Sequence, residues 1–396
     1  MKRILDGIKV LDLSRVLAGP YCTMLLADMG AEVIKIETPK GGDDSRSFGP
    51  FVEGESCYFM NLNRNKKGVT INLKAPEGKA MFLEMVKQAD VVVENYRHGT
   101  MEKLGIGYED LKKVNPGIVY GCVSGFGHFG PYSKRAGYDI IGQAVGGLMS
   151  TSGWPGGEPT RSGTAMGDVL AGLSCSIGIL AATINKMKTG EGQKVDVALV
   201  DSVVSSLEII TQIYIATGKT PQRIGNRYES VYPYDSFKAK DGSLVIACGN
   251  DKLFTLLATL MGRPELVENP LFNKNNNRVQ NHAALKPIIE DWLKDFTVDE
   301  AVEIILESGV PAGPINTIDK IVNDPHIAGA REMFVPITHP IAGEMKVSGN
   351  HIKFSDRKTQ IKTPAPTLGQ HNYDVFNELL GLSYEKVEEL KANGII

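Results

Sequence analysis

Short runs of β-branched and aliphatic residues alternate with amphipathic segments through the first half of the chain. This alternation constrains the fold more than any other feature. KVLDLS (9–14), EVIKIE (32–37), VTINL (69–73), VVVEN (91–95) and IVYGCVSG (118–125) read as strands. PYCTMLLADMG (20–30), PEGKAMFLEMVKQA (76–89) and YEDLKKVNPG (108–117) read as helices, the first with Pro early and Gly at its end. A βαβαβ rhythm needs crossover connections, so it predicts an α/β fold: a Rossmann-like parallel sheet covered by helices. The usual dinucleotide fingerprint GxGxxG is missing, because SRVLAGPY follows the first strand. The fold can therefore be Rossmann-like with a ligand other than a nicotinamide dinucleotide.

Further along, an apolar helix is expected over 169–184, and KVDVALVD (194–201) reads as a strand running into the helix SVVSSLEIITQIYIATG. Residues 218–235 are irregular and polar, as expected of a linker. The strand SLVIACGN (243–250) and the helices FTLLATLMG, LKPIIEDWLKDF and VDEAVEIILESG follow on a more charged background. The expected organisation is a large domain over 1–225, a smaller α+β domain over 226–325, and a return to the large domain over 326–396 with helices NYDVFNELLG and YEKVEELKANG.

Composition excludes several functions. Across 396 residues the net charge is −3, which argues against a nucleic-acid partner. The five cysteines, Cys22, Cys57, Cys122, Cys175 and Cys248, have no CxxC spacing and suit a reducing, cytoplasmic setting. The N-terminal MKRILDGIKVLDLS turns polar too soon for a signal peptide. The 169–184 run, with its Gly and Ser, suits a buried helix better than a membrane span. The seven histidines show neither HxH nor HExxH spacing, so no metal site is expected. There is no GxSxG and no P-loop, and the glycine-rich GFGHFG (125–130) reads as a turn.

Within SGTAMGDVLAGLSCSIGILAATIN (162–185) the single charged residue is Asp168. An aspartate heading a long apolar helix is a favoured N-cap. A carboxylate held ionised there could also act as a nucleophile without a separate base. Gly163, Ala165, Gly167 and Gly172 would leave room for a substrate. Arg15, Arg46, Arg64, Lys66, Lys67, Arg97, Lys103, Lys134 and Arg135 lie in or beside the N-terminal loops, where several cations would suit a ligand with multiple phosphates.

Seven stretches occur in the order of one family: LDGIKVLDLSRVLAGPYCTMLLADMGAEVIKIE (5–37), NLNRNKKGVTINLK (61–74), VVVENYRHGTMEKLGIGYEDL (91–111), GDVLAG (167–172), TGEGQKVDVALVDS (189–202), GVPAGPI (309–315) and APTLGQHNYDVFNELLGL (365–382). In these the chain resembles the class III CoA-transferases, which include formyl-CoA transferase and carnitine CoA-transferase. The resemblance implies transfer of CoA from an acyl-CoA to a free carboxylic acid, through an anhydride and then a CoA thioester on Asp168. It implies CoA contacts at Arg15, Val16, Ala18, Leu73, Asn95, Tyr96, Arg97, Lys103 and Arg135. An acyl and acid site is implied at Phe48, Tyr58, Tyr138, Gly249 and Asn250. Coenzyme A thioester is then a substrate, with no permanently bound cofactor and no metal, and the assembly is an interlocked homodimer.

Formyl-CoA transferases carry a run of glycines where this chain has ACGNDKLF (247–254), which implies an acid larger than oxalate, with succinyl-CoA or another short acyl-CoA as donor. Two alternatives stand beside this reading. An α-methylacyl-CoA racemase needs His and Asp in a GHDxNY context. Here GYDIIG (137–142) puts Tyr138 in place of the His, and Ile141 and Gly142 in place of the Asn and Tyr. A non-catalytic CoA-binding protein would not need Asp168.

Overall fold

In the first unit, six strands form one parallel sheet: β1 (Lys9–Asp12), β2 (Glu32–Glu37), β3 (Lys66–Thr70), β4 (Val91–Glu94), β5 (Val119–Ser124) and β6 (Lys194–Ala198). Their spatial order is β3-β2-β1-β4-β5-β6, so the chain's progress along the sheet reverses between β1 and β4. The computed structural model describes residues 3–396. Contacts divide these into two compact units, one of 3–148, 161–212 and 324–396, the other of 149–160 and 213–323.

The sheet's core follows from a side-chain period of two. Val10, Val33, Val91, Val93, Val119 and Val123 point into one cluster, against α1 (Ala18–Met29) and a long helix over Met166–Thr189. Leu11, Ile34, Ile36, Val92 and Tyr120 point into the other, against α3 (Pro76–Val86). Both faces are thus covered, which is why these strands read as apolar runs rather than as alternating ones. Between these elements lie α2 (Cys57–Leu62), α4 (Thr100–Leu104), α5 (Tyr108–Val114) and α6 (Asp139–Val145), then α7 (Met166–Thr189) and α8 (Leu199–Ser206). On α7, Ala171, Cys175, Ile179 and Ala182 form the buried stripe, at the spacing of an amphipathic helix. By length and composition α7 could cross a membrane, yet this stripe packs on α1 and the sheet. The chain closes on this unit with a hairpin (Phe334–His339, Gly343–Ser348) and two helices (Asn372–Leu380, Tyr384–Ala392).

The second unit holds a three-stranded antiparallel sheet from Tyr234–Lys238, Ser243–Ala247 and Ala312–Pro314. Its own core gathers Phe237, Leu244, Ile246, Phe254, Leu257, Leu285, Ile289 and Ile305.

Two elements differ from expectation. The strand expected over 69–73 is paired three residues earlier, from Lys66 to Thr70. Lys66 is fully buried and its Nζ lies 3.0 Å from Asp12 Oδ2, so a lysine occupies a strand position that an unpaired charge could not. The helix expected through 202–218 stops at Ser206; Glu208 takes φ 39° and a new helix starts at Ile209.

Candidate active site

The loops at the carboxyl ends of β1, β4, β5 and β6 enclose a cavity of about 270 Å³. It lies across the point where the strand order reverses, the place at which open parallel sheets bind ligands. Nine of the expected residues line it: Arg15, Val16, Ala18, Asn95, Tyr96, Arg97, Arg135, Tyr138 and Asp168.

The β1–α1 loop is held in an unusual conformation. Val16 has φ 65°, a left-handed value that a β-branched residue rarely adopts. Asn95 fixes the preceding residue: its Oδ1 accepts from Arg15 N–H (2.8 Å) and its Nδ2 donates to Arg15 O (2.7 Å). Asp43 accepts from Val16 N–H at 3.0 Å and pairs with buried Lys35 at 2.9 Å. Lys35 beside it overcomes the cost of burial and holds the Asp43 carboxyl down at about 2. The strain at Val16 is therefore retained by groups that cannot relax independently. Arg15 reaches Asp44 (2.9 Å) and lies over the Tyr96 ring, 5.4 Å from its centroid. Arg97 donates to Lys134 O (2.6 Å), and Arg135 stacks on Tyr132 at 3.5 Å.

Asp168 occupies the third position of α7 and is not its N-cap. That place belongs to Ala165, which offers no side-chain acceptor. The cap comes from another helix instead. Asp139 Oδ1 accepts from Gly167 N–H at 2.8 Å and from Asp168 N–H at 3.3 Å. Nor is Asp168 held ionised as expected. Burial first, and then the charge of Asp139, push its carboxyl up to about 7. Among the described residues no hydrogen-bond donor reaches that carboxylate.

The small residues around it have separate reasons. A Cβ at Gly172 would meet Ala18 O at 2.7 Å, and one at Gly167 would meet Asp139 Oδ1 at 3.1 Å, whereas Gly163 faces open space. Two of the three glycines therefore serve helix packing rather than substrate access.

The remaining expected residues lie elsewhere. Leu73 packs on the core and Lys103 is exposed on α4; neither lines the cavity. Phe48 and Tyr58 stack edge to face with ring centroids 5.7 Å apart. Burial first, then the charge of Asp168, push Tyr58 up to about 12. Gly249 and Asn250 belong to the second unit, where Asn250 caps the helix Asp251–Leu260 by accepting from Leu253 N–H at 3.0 Å. Four of the loop cations are engaged internally: Arg64 with Asp28 (2.8 Å), Lys66 with Asp12, Arg46 with Glu37 (2.7 Å) and Lys67 with Glu32.

Sequence reasoning passed over two groups. Asp139 and Gln143 sit four residues apart in GYDIIGQ, a signal for one face of a helix. Glu94, Cys122 and His128 bring one ligand atom each within 4.8 Å of one another. Lys194 Nζ lies 2.8 Å from His128 Nδ1 and supplies a positive charge to that buried group.

Comparison with known proteins places the chain among related sequences and structures. The sequence profile of CoA-transferase family III matches residues 5–372. The chain is 39% identical to human succinyl-CoA:glutarate CoA-transferase over 99% of its own length and 90% of that protein. It is 41% identical to acetyl-CoA:oxalate CoA-transferase of Acetobacter aceti, over 92% of this chain and 93% of that one. A crystal structure of a CAIB/BAIF family protein from Brucella suis superposes with a TM-score of 0.84 at 40% identity, covering 96% of this chain and 100% of the other.

Proposed function

The chain belongs to CoA-transferase family III and is an enzyme of that class; from this premise we propose that Asp168 is the nucleophile that carries CoA from an acyl-CoA to a free carboxylic acid. The observation that carries the proposal is a carboxylate without hydrogen-bond donors, in a cavity lined by Arg15, Arg97 and Arg135. A partly desolvated carboxylate that no protein donor engages is a stronger nucleophile than one in bulk water.

The Asp168 oxygen attacks the thioester carbonyl, the C–S bond breaks, and CoA thiolate leaves an acyl-aspartyl anhydride. The thiolate then attacks the aspartyl carbonyl, the anhydride C–O bond breaks, and the donor acid departs as its carboxylate. The acceptor carboxylate attacks the resulting aspartyl-CoA thioester, its C–S bond breaks, and CoA thiolate is released beside a second anhydride. The thiolate then takes the new acyl group from the second anhydride, restoring the Asp168 carboxylate. No net proton is gained or lost.

The cavity is just below the usual range of small-molecule sites, ~300–1,000 Å³, so it suits the thioester end of CoA. We place the nucleotide outside it, with Arg15, Arg97, Arg135 and the exposed Lys103 available to its phosphates. Asn95, Tyr96, Val16 and Ala18 line the inner path, and Leu73, which packs on the core, is assigned to CoA by family likeness alone. Tyr138, Phe48 and Tyr58 are proposed for the acyl side. Gly249 and Asn250 are assigned to the acid side by family likeness alone. The relatives are named for glutarate and for oxalate, so acid choice rests on this chain's own residues. The large domain of 1–225 with 326–396, its Rossmann-like character and the small domain of 226–325 belong to the same proposal.

We also propose a cytoplasmic homodimer, interlocked as in the family. Five cysteines without a disulfide support a reducing compartment. Ile177, Ile184 and Met187 on α7 are 68%, 55% and 71% exposed, an apolar face that a second chain would cover.

A panel of free acids with acetyl-, succinyl- and formyl-CoA, read by mass, tests the activity. Hydroxylamine added during turnover should convert Asp168 to a hydroxamate. Asp168→Ala should lose at least about a hundredfold in kcat, ~3 kcal/mol, while retaining CoA binding. Label on another residue, or an active alanine variant, overturns the assignment.

A further inference from the structure

Asp168 has a second carboxylate beside it that the transfer chemistry does not call for. Asp139 opens α6 and is half-buried. Its Oδ1 accepts from the first-turn N–H groups of Gly167 and Asp168, and its Oδ2 accepts from Gln143 Nε2 at 2.7 Å. Gln143 is fully buried and spends its whole amide on this corner. Nε2 also donates to Thr164 O (3.2 Å), and Oε1 accepts from Ser162 N–H (2.9 Å). The segment from Ser162 to Asp168 is thereby tied at four backbone positions to two side chains one helical turn apart.

We propose that Asp139, clamped by Gln143, is the positioning residue of Asp168: it caps α7 in place of a local side chain, fixes where the Asp168 carboxylate points, and sets a like charge beside it. The inference rests on Asp168 as the nucleophile. A helix needs acceptors for its first N–H groups. Were Asp168 to supply one, its own oxygens would be engaged and its charge stabilised. With Asp139 capping from α6, the Asp168 carboxylate remains free of donors and turned to the cavity. Burial and then Asp139 raise its carboxyl, which agrees with the geometry.

The other titratable groups near α7 do not replace Asp139 in this role. Tyr58 on α2 feels the Asp168 charge as a neutral phenol, and Arg15, Arg97 and Arg135 line the same cavity. Asp28 on α1 is paired with Arg64, Asp201 on α8 is exposed, and Lys194 and Asp196 on β6 bind the His128 loop.

The test compares wild type, Asp139→Asn and Asp139→Ala as full chains. The first readout needs no substrate. A carbodiimide with glycinamide labels protonated carboxyls, and peptide mapping across pH gives the midpoint at which Asp168 loses its proton. That midpoint should lie near neutrality in wild type and fall by at least about half a pH unit in Asp139→Asn, which removes the like charge. The second readout is kinetic, with the acyl-CoA and acid pair found in the panel above. The acid limb of the kcat profile should shift down with the labelling midpoint. Asparagine keeps an oxygen for the two N–H groups, so it should retain more activity than alanine. Alanine should lose at least about tenfold in kcat, with KM for acyl-CoA within about threefold.

An unmoved midpoint in Asp139→Asn overturns the proposal, even if kcat falls, because a purely structural role would leave the titration where it is. So does an Asp139→Ala variant with unchanged kcat. A shifted midpoint with an active Asp168→Ala would instead overturn the nucleophile assignment and leave the positioning intact.

Discussion

Asp168→Asn should stabilise the folded protein at alkaline pH and do so less as pH falls. Burial and the neighbouring Asp139 charge place the Asp168 carboxyl at about 7, against 3.8 for an ordinary aspartate. Between these values the folded chain holds a proton that the unfolded chain has released. Stability therefore falls as pH rises through this window, the reverse of the usual salt-bridged carboxylate. Three pH units at about 1.36 kcal/mol each is about 4 kcal/mol at full strength. Asp168 is half-buried and borders an open cavity, so solvent screening makes about 4 kcal/mol a ceiling. The amide is isosteric and carries no charge, so it removes this penalty without opening a cavity.

Urea unfolding at fixed protein concentration, from about pH 5 to about pH 8, measures the difference. The asparagine variant should exceed wild type by up to about 4 kcal/mol at pH 8, and the gap should narrow from about pH 7 toward pH 5. A variant less stable than wild type at pH 8 would refute the reasoning. So would a gap that does not change with pH, since that would show the carboxylate is not strained by its surroundings.

Two further outcomes follow from the proposed function. Oxalate should be a poorer acceptor than glutarate by at least about tenfold in kcat/KM, ~1.4 kcal/mol, because Asn250 caps a helix and Asp251 pairs with Arg278 at 2.7 Å, leaving a stiff segment where glycines would flex; competition at equal acid concentrations with oxalate ahead would overturn this. Light scattering at micromolar concentration should report a dimer, and a fully active monomer would refute the interlocked assembly.

The parallel sheet was legible because its strands are buried on both faces and so read as unbroken apolar runs. The slip at β3 shows where that signal fails. Lys66 and Asp12 neutralise each other inside the sheet, and a partner 54 residues away leaves no local trace. The same reason hid the fate of Arg46, Arg64 and Lys67. Their charges suggested phosphate contacts, but Glu37, Asp28 and Glu32 engage them within the fold. Asp168 stood out as a lone charge in an apolar segment. Its cap did not, because α6 is seven residues long, contains Gly142, and acts across 28 residues of sequence. Gly249 and Asn250 were named from family likeness, and the structure shows only that Asn250 has a capping role of its own.

The position of Asp168 carries a physical tension. A carboxylate that titrates at about 7 is only about half ionised at neutral pH, so with Asp168 as the proposed nucleophile part of the enzyme would be unready at any moment. The same burial and the same Asp139 charge raise the energy of the ionised form. In the proposed mechanism acylation removes that charge: both the anhydride and the aspartyl thioester would be neutral at the Asp168 oxygens. The repulsion therefore acts against the free carboxylate and not against the covalent states, which narrows the energy gap that attack on a thioester must climb. A lower value at Asp168 would give more ionised enzyme but a better-stabilised, less reactive nucleophile. On this argument Asp139→Asn should shift the acid limb of the kcat profile downward and yet lower the plateau above it, whereas relief of a harmful repulsion would raise the plateau. The plateau's direction decides whether the like charge beside Asp168 serves the reaction or merely accompanies the cap.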